Sequence, residues 1–317
     1  MIVFLMILSF LSVVYINESI VFFCFIVGFP ILYIINLYMK FIYHQSARQW
    51  SPKEKVVIIT GASSGIGESL AYQFSRHGCI LVLCARREAL LAEVSKNCKL
   101  QGAKDVITVK VDVTKESEIT TLIQQIEKEY NRIDCLILNA GISMGERLDE
   151  INDFNLIRKL MEVNYFGSTN FVYQALPLLK RSPKSRIVVV SSAAGLVGAP
   201  LRTGYSGSKF ALRGFFTALA CELSDNDIYV TIAYPGPVRT QINKARLGKD
   251  PHELDTSGGI TPEKCAQIIY EATLNGDMEV MFETLGRAVR IMEGPFLYLN
   301  YWLVNKVQRS LNKNKRK

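Results

Sequence analysis

Histidine is scarce in this chain of 317 residues, and the three present (His44, His77, His252) lie far apart. The seven cysteines are equally scattered and form no CxxC pair. Neither set offers the clustered ligands of a zinc site, so no metal centre is expected. An odd cysteine count without framework spacing points to reduced thiols and a domain facing the cytosol. Net charge is missing where a nucleic acid partner would need it. The formal charge is +8, yet residues 56–305 sum to zero. Residues 40–55 contribute +3 and residues 306–317 contribute +6, against Glu18 alone in residues 1–39. Basic flanks on a neutral domain suit an anionic membrane surface and exclude a basic nucleic-acid face. No internal repeat or low-complexity linker is present.

The first forty residues lack charge almost entirely. Residues 1–16 are nearly all apolar, Asn17-Glu18-Ser19 interrupts them, and residues 20–39 run without a charge to Lys40. About 20 helical residues cross the ~30 Å hydrocarbon layer. A cleaved leader would need a positive n-region and a small-residue cleavage site, and neither is evident. Residues 1–40 therefore read as a membrane anchor of one or two apolar runs, with residues 41–54 as a basic juxtamembrane linker. Whether the first run crosses the membrane, pairs with the second or lies in the interface stays open. Lys40, Arg48, Lys53 and Lys55 follow the span and place that side in the cytosol. At the other end, Tyr298, Tyr301 and Trp302 within residues 291–304 suit the headgroup level. The final Lys313-Asn314-Lys315-Arg316-Lys317 looks like an endoplasmic-reticulum retrieval signal of cytosolic tails. The expected location is the endoplasmic-reticulum membrane, catalytic domain facing the cytosol, with residues 286–317 as an aromatic segment and basic tail.

Between 55 and 285 the pattern changes. Short β-branched and apolar runs at 55–60, 80–85, 106–111, 133–139, 186–192, 228–234 and 278–282 read as strands. Helical patterns lie between them near 65–77, 88–101, 115–130, 152–181, 204–224 and 261–275. Continuously apolar strands imply a parallel sheet buried on both faces. Seven strands alternating with helices predict a single Rossmann-like, doubly wound α/β domain. Residues 243–259 read as a mobile loop.

The first strand runs into Thr60-Gly61-Ala62-Ser63-Ser64-Gly65-Ile66-Gly67 and then a helix. In that context glycines admit close approach of a pyrophosphate, and the helix N-terminus supplies N–H groups and a favourable dipole. The second strand ends in Ala85-Arg86-Arg87, where an acid would bind the ribose 2′-OH of NAD. Arginine is a fork of donors suited to a 2′-phosphate, so NADP(H) is expected, with Ser64 adding a hydroxyl contact.

Further matches follow in order: Asp112-Val113, Asn139-Ala140-Gly141, Asn164, Ser192, Tyr205-Ser206-Gly207-Ser208-Lys209, and Pro235-Gly236-Pro237-Val238-Arg239-Thr240. Over residues 55–285 the chain resembles the short-chain dehydrogenase/reductase family. The strings GASSGIGESLAYQ, LVLCARR, ALRGFF and PGPVRT are most similar to its membrane-anchored, 11β-hydroxysteroid dehydrogenase-like members. Leu138 stands where many relatives carry a second Asn. The resemblance implies a catalytic set of Asn164, Ser192, Tyr205 and Lys209. It implies a cofactor cleft of Gly61, Ser63, Ser64, Gly65, Ile66, Gly67, Arg86, Arg87, Asp112, Val113, Asn139, Ala140, Gly141, Tyr205, Lys209, Val238 and Thr240. In it, Asp112 accepts from the adenine amino group, Asn139 to Gly141 line the adenosine side, and Val238 and Thr240 meet the carboxamide. Lys209 is implied to bind the nicotinamide ribose, and Asn164 to hold a relay water.

The chemistry explains the spacing. Hydride transfer to a carbonyl builds negative charge on oxygen, which needs a proton donor and a stabiliser. A phenol has a pKa near 10, and a cation nearby lowers it. Lys209 lies four residues after Tyr205, on the same helix face. Ser192 and Tyr205 are the expected substrate contacts. Loops 142–150, 193–203 and 241–259 shape specificity. Leu196, Val197, Ala199, Pro200 and Leu201 favour a lipophilic substrate such as a steroid or retinoid. A fatty-acyl or 3-ketosphinganine ketone is the second enzyme reading, and a catalytically silent membrane scaffold is a third. A homodimer is the family expectation.

Overall fold

The computed structural model describes residues 31, 33–35, 37–38, 47, 50–242, 246–248 and 258–282. The chain divides into two units, Met1–Gln49 and Trp50–Lys317. In the first, residues 31, 33–35 and 37–38 are helical and exposed. Among the described residues no helix is long and apolar enough to cross a membrane. Most of the anchor and linker over residues 1–54, and all of the C-terminal segment over residues 286–317, lie outside the described residues.

The second unit follows the expected alternation. Its elements are β1 (Val56–Thr60), α1 (Gly65–Ser75), β2 (Ile80–Ala85), α2 (Glu88–Leu100), β3 (Asp105–Lys110), α3 (Glu116–Tyr130), β4 (Cys135–Leu138), β5 (Ser143–Met144) and α4 (Asn155–Met161). A π turn (Glu162–Phe166) leads into α5 (Gly167–Lys180). Then come β6 (Arg186–Val190), α6 (Thr203–Glu222), β7 (Tyr229–Tyr234), β8 (Arg246–Leu247), α7 (Pro262–Asn275) and β9 (Glu279–Met281).

Seven strands pair in parallel in the order β3-β2-β1-β4-β6-β7-β9. β1, β2, β4, β6 and β7 are buried throughout, as a parallel sheet covered on both faces requires. Successive strand residues feed opposite cores. Ile58, Val82, Leu136 and Ile187 pack with Ile119 and Leu122 of α3, Phe171 of α5 and Phe216 of α6. Val57, Ile59, Leu81 and Cys135 pack with Leu70 and Phe74 of α1, Leu91 of α2 and Ile269 of α7. Each such leucine or phenylalanine contributes about 1.5–3 kcal/mol. The strand order reverses between β1 and β4, and ligands of such sheets bind in the crevice at the carboxyl ends there.

Two features differ from the sequence reading. The helix expected over 152–181 is broken by the π turn, which inserts Asn164 with a shifted register. β5 and β8 form a separate two-residue parallel ladder, Ser143 opposite Arg246 and Met144 opposite Leu247. It ties loop 142–150 to loop 241–259.

At the opposite end of the sheet, Asp134 is fully buried beneath β1 and β4. It accepts from Val56 N–H at 2.9 Å, Lys55 Nζ at 3.0 Å, Arg132 Nε at 3.0 Å and the Ser182 hydroxyl. Burial pushes its pKa up, but these donors outweigh it and hold the carboxyl below the usual range.

Candidate active site

The glycine loop is built for close approach. Gly61 (φ +67°) and Gly65 (φ +62°) occupy the left-handed region. A Cβ on Gly67 would stand 2.4 Å from the Gly61 carbonyl oxygen and 2.5 Å from Asn139 Nδ2. Ser64 makes no side-chain cap on α1, so the first-turn N–H groups of that helix are not capped by it. Ile66 packs against the core below the loop.

Asn139 ends β4 early because it turns to hold this loop. Its Nδ2 donates to the Thr60 carbonyl at 3.0 Å and the Gly61 carbonyl at 3.3 Å. The N–H groups of Asn139 and Ala140 donate to Thr60 Oγ1 at 2.9 and 3.1 Å. Asn139 therefore supports the loop from beneath.

The two arginines after β2 diverge. Arg87 donates to Ser63 Oγ at 2.9 and 3.2 Å and to Ser64 Oγ at 2.6 Å. Arg86 stands 3.9 Å from Asp112, whose other oxygen accepts from Thr114 N–H and Oγ1 at 3.0 and 2.9 Å. Val113 is buried where α5 begins, 2.8 Å from the Cβ position of Gly167. On the far side, Thr240 Cγ2 lies 3.1 Å from the Cβ position of Gly65. Val238 bridges Ile260, and its carbonyl accepts from Thr240 N–H at 2.7 Å. Residues expected to form one cleft thus ring the carboxyl ends of β1, β2, β3, β4 and β7. The helix start that Ser64 leaves uncapped, the closely packed glycines and the Arg87–serine cluster fit a dinucleotide cofactor.

Asn164, Ser192, Tyr205 and Lys209 are brought together between the ends of β4 and β6. Tyr205 and Lys209 lie in the first two turns of α6, with Lys209 Nζ 5.8 Å from the Tyr205 ring centroid. Both are buried. The Ser192 hydroxyl is near enough to the Tyr205 phenol to pull its pKa down, and Ser192 Oγ accepts from Ala194 N–H at 3.2 Å. Lys209 Nζ donates to the Val190 carbonyl at 2.9 Å. Asn164 bonds to both backbone groups of Ile142, at 2.8 and 3.0 Å, and donates to Ser208 Oγ at 2.9 Å. A Cβ on Gly141 would be 3.1 Å from Asn164 Oδ1 and 3.7 Å from Lys209 Nζ, so a side chain there would crowd Asn164.

Three contributors escaped the sequence reading. Ser208 links Asn164 to the Tyr205 carbonyl, donating to the latter at 2.7 Å. Ser191 Oγ donates to the Lys209 carbonyl at 3.2 Å and fixes α6 against β6. Arg202, one residue before α6, has its Cζ 5.7 Å from the Tyr205 ring centroid. Burial pushes the Tyr205 phenol up, while the Ser192 hydroxyl and the Arg202 charge pull it down. Burial pushes the Lys209 ammonium down to about 8. Burial wins and the phenol stays above its ordinary value; the cation that opposes this is Arg202, not the Lys209 that the spacing singled out.

Above the site three loops meet. Gly145 N–H donates to the Leu247 carbonyl and Glu146 N–H to the Leu201 carbonyl, both at 3.0 Å.

Residues 55–250 match the short chain dehydrogenase family. The chain is 33% identical to "Dehydrogenase/reductase SDR family member 7" of Homo sapiens over 84% of this chain and 81% of that one. It is 35% identical to "11-beta-hydroxysteroid dehydrogenase A" of Sesamum indicum over 71% of this chain and 67% of that one. It is 35% identical to "3-dehydrosphinganine reductase" of Danio rerio over 71% and 70%. Among solved structures, a short-chain dehydrogenase/reductase of Burkholderia phymatum in complex with NAD superposes with a TM-score of 0.72. It is 24% identical, covering 79% of this chain and 96% of that one. An alcohol dehydrogenase of Thermococcus sibiricus complexed with 5-hydroxy-NADP gives a TM-score of 0.64 at 26% identity, covering 73% and 97%.

Proposed function

The chain belongs to the short-chain dehydrogenase/reductase family of oxidoreductases acting on hydroxyl and carbonyl groups, and from that membership we propose an NADP(H)-dependent enzyme that interconverts a secondary alcohol and a carbonyl on a lipophilic, steroid- or retinoid-type substrate. One observation carries this reading: a buried phenol, beside Ser192 and one helical turn from a buried ammonium, stands at the carboxyl end of the sheet that also holds the glycine loop.

Bound NADPH would supply the hydride. Ser192 orients the substrate oxygen and stabilises the charge growing on it. Tyr205 delivers the proton, and burial keeps its phenol protonated at neutral pH, which suits reduction. Lys209 has three donors, of which Val190 takes one, leaving others for ribose hydroxyls. Asn164 and Ser208 fix α6 and the π turn in register, so that the proton returning to Tyr205 travels by way of Lys209 and a water near Asn164. Arg87, Ser63 and Ser64 receive the 2′-phosphate, and Asp112 faces the adenine.

Support for NADP(H) is the Arg87–serine cluster and the absence of an acid directly after β2. The apolar residues of loop 193–203 and the names of the plant relatives favour a steroid-like substrate. The zebrafish relative supports a sphingoid or fatty-acyl ketone as the second reading. The apolar N-terminal sequence and basic flanks support attachment to the endoplasmic-reticulum membrane with the domain in the cytosol, and we propose a homodimer. The test is NADPH and NADH oxidation by the full chain with retinal, steroid ketones and 3-ketosphinganine. Turnover of a steroid or retinal selects the first reading, turnover of 3-ketosphinganine selects the second, and cofactor binding without any turnover refutes both.

A further inference from the structure

Arg202 is the feature this mechanism does not use. It is half-buried at the start of α6, its Cζ 5.7 Å from the Tyr205 ring centroid. Among the described residues no carboxylate pairs with it. The Tyr205 phenol favours the Arg202 charge, while the Arg246 guanidinium of β8 opposes it. Arg246 lies flat on the Gly145 backbone, Nε 2.3 Å and Cζ 2.4 Å from where a Cβ would stand, and it has a partner of its own. Glu146 of the neighbouring loop is buried against Gly248, with Oε2 3.0 Å from that glycine's Cβ position.

Desolvating a guanidinium beside a second one is unfavourable unless an anion is supplied. The backbone holds Arg202 in place despite this. The preceding Leu201 adopts φ +66°, a strained conformation for leucine, and its carbonyl is anchored by Glu146 N–H. Among the described residues the site therefore presents a planar fork of donors, without a carboxylate partner, beside the proton donor.

We infer that Arg202 is a subsite for an oxyanion on the substrate, so that the molecule reduced here is a lipophilic carbonyl compound carrying a carboxylate, or a sulfate or phosphate ester, close to the reacting oxygen. This rests on Tyr205 being the proton donor of a carbonyl/alcohol oxidoreductase, and it narrows the substrate from lipophilic to amphiphilic and acidic.

The test compares 4-oxodecanoate with its methyl ester, using NADPH and the full chain. A charge-assisted contact to a carboxylate predicts a preference for the acid of roughly ten- to a hundred-fold in kcat/KM, expressed mainly in KM. Arg202→Leu brings the acid-to-ester ratio to about one, and Arg202→Lys restores part of it. NADPH binding by each variant serves as the check of folding. In parallel, the NADP-loaded protein is titrated with octanoate and with 1-octanol. The carboxylate is expected to bind at least about tenfold tighter in the parent, with parity in Arg202→Leu. A parent ratio at or below one, or a ratio that Arg202→Leu does not change, overturns the subsite. If no carbonyl compound turns over, the proposed activity has failed, and the octanoate titration still decides the subsite. Selective octanoate binding in the parent that Arg202→Leu abolishes supports it, and parity in the parent overturns it.

Discussion

Cofactor choice depends on a contact that can be removed without knowing the substrate. Arg87 is exposed and donates to Ser63 and Ser64, which places a guanidinium at the mouth of the phosphate loop. A charge-assisted hydrogen bond contributes about 1.5–3 kcal/mol, and exposure selects the lower end. At about 1.4 kcal/mol per decade, Arg87→Ala should weaken NADPH roughly tenfold. NADH lacks the 2′-phosphate and should change by less than about twofold. Arg87→Asp adds repulsion and should weaken NADPH further. Arg86→Asp should also disfavour NADPH, and it additionally removes the partner of Asp112, so some loss for NADH accompanies it. Fluorescence titration of both reduced cofactors with parent and variants measures this directly. Equal weakening of NADPH and NADH in Arg87→Ala, or equal affinity of the parent for both, would refute the phosphate-site reasoning.

Other outcomes follow from the same structure. Gly67→Ala places a methyl against Gly61 and Asn139, and should cost about 1–3 kcal/mol in stability while weakening both cofactors, by melting and by titration. Asp134→Ala should cost about 2–4 kcal/mol, chiefly by leaving the buried Val56 N–H and Ser182 hydroxyl without an acceptor, while leaving cofactor affinity intact in the folded fraction. Alkaline pH should unfold the chain. Burial pushes Cys79, Cys84, Cys98 and Cys265 up to about 12, so from about pH 9 the unfolded state loses thiol protons that the folded state keeps, and each thiol removes about 1.4 kcal/mol per pH unit. Lys209, lowered to about 8, acts oppositely: stability rises with pH from about 8 to 10.5, because there the unfolded lysine holds the extra proton. Four thiols against one lysine leave a net loss of roughly 4 kcal/mol per pH unit. Far-UV circular dichroism unchanged to pH 11.5 would contradict this.

The sheet was legible because its strands are runs such as VVIIT and ILVLCA whose burial on both faces leaves no polar alternation to confuse the pattern. The glycine loop was legible because a strand, a turn and a helix frame it. The π turn was not, since inserting a residue into a helix alters register without altering composition. β5 and β8 are two residues each, below any readable period. Tandem Arg86-Arg87 looks symmetrical as text, and only the fold aims Arg87 at the serines. Arg202 reads as an ordinary polar residue in an apolar loop until Leu201, Glu146 and the start of α6 bring it to Tyr205. Asn139 was expected to line the adenosine side, and nothing in the sequence signals that its side chain also underpins the loop, a role set by the contact of β4 with β1.

The central claim is that Tyr205 gives its proton to a substrate oxygen while cofactor binds independently in the neighbouring cleft. The direct measurement is NADPH oxidation with the lipid carbonyl panel by parent and Tyr205→Phe, alongside NADPH affinity for both proteins. The account predicts at least a hundredfold loss of turnover with NADPH affinity within about threefold of the parent, because removing a proton donor in the transition state costs 10²–10⁴ in rate. Turnover by Tyr205→Phe at the parent's rate would contradict it.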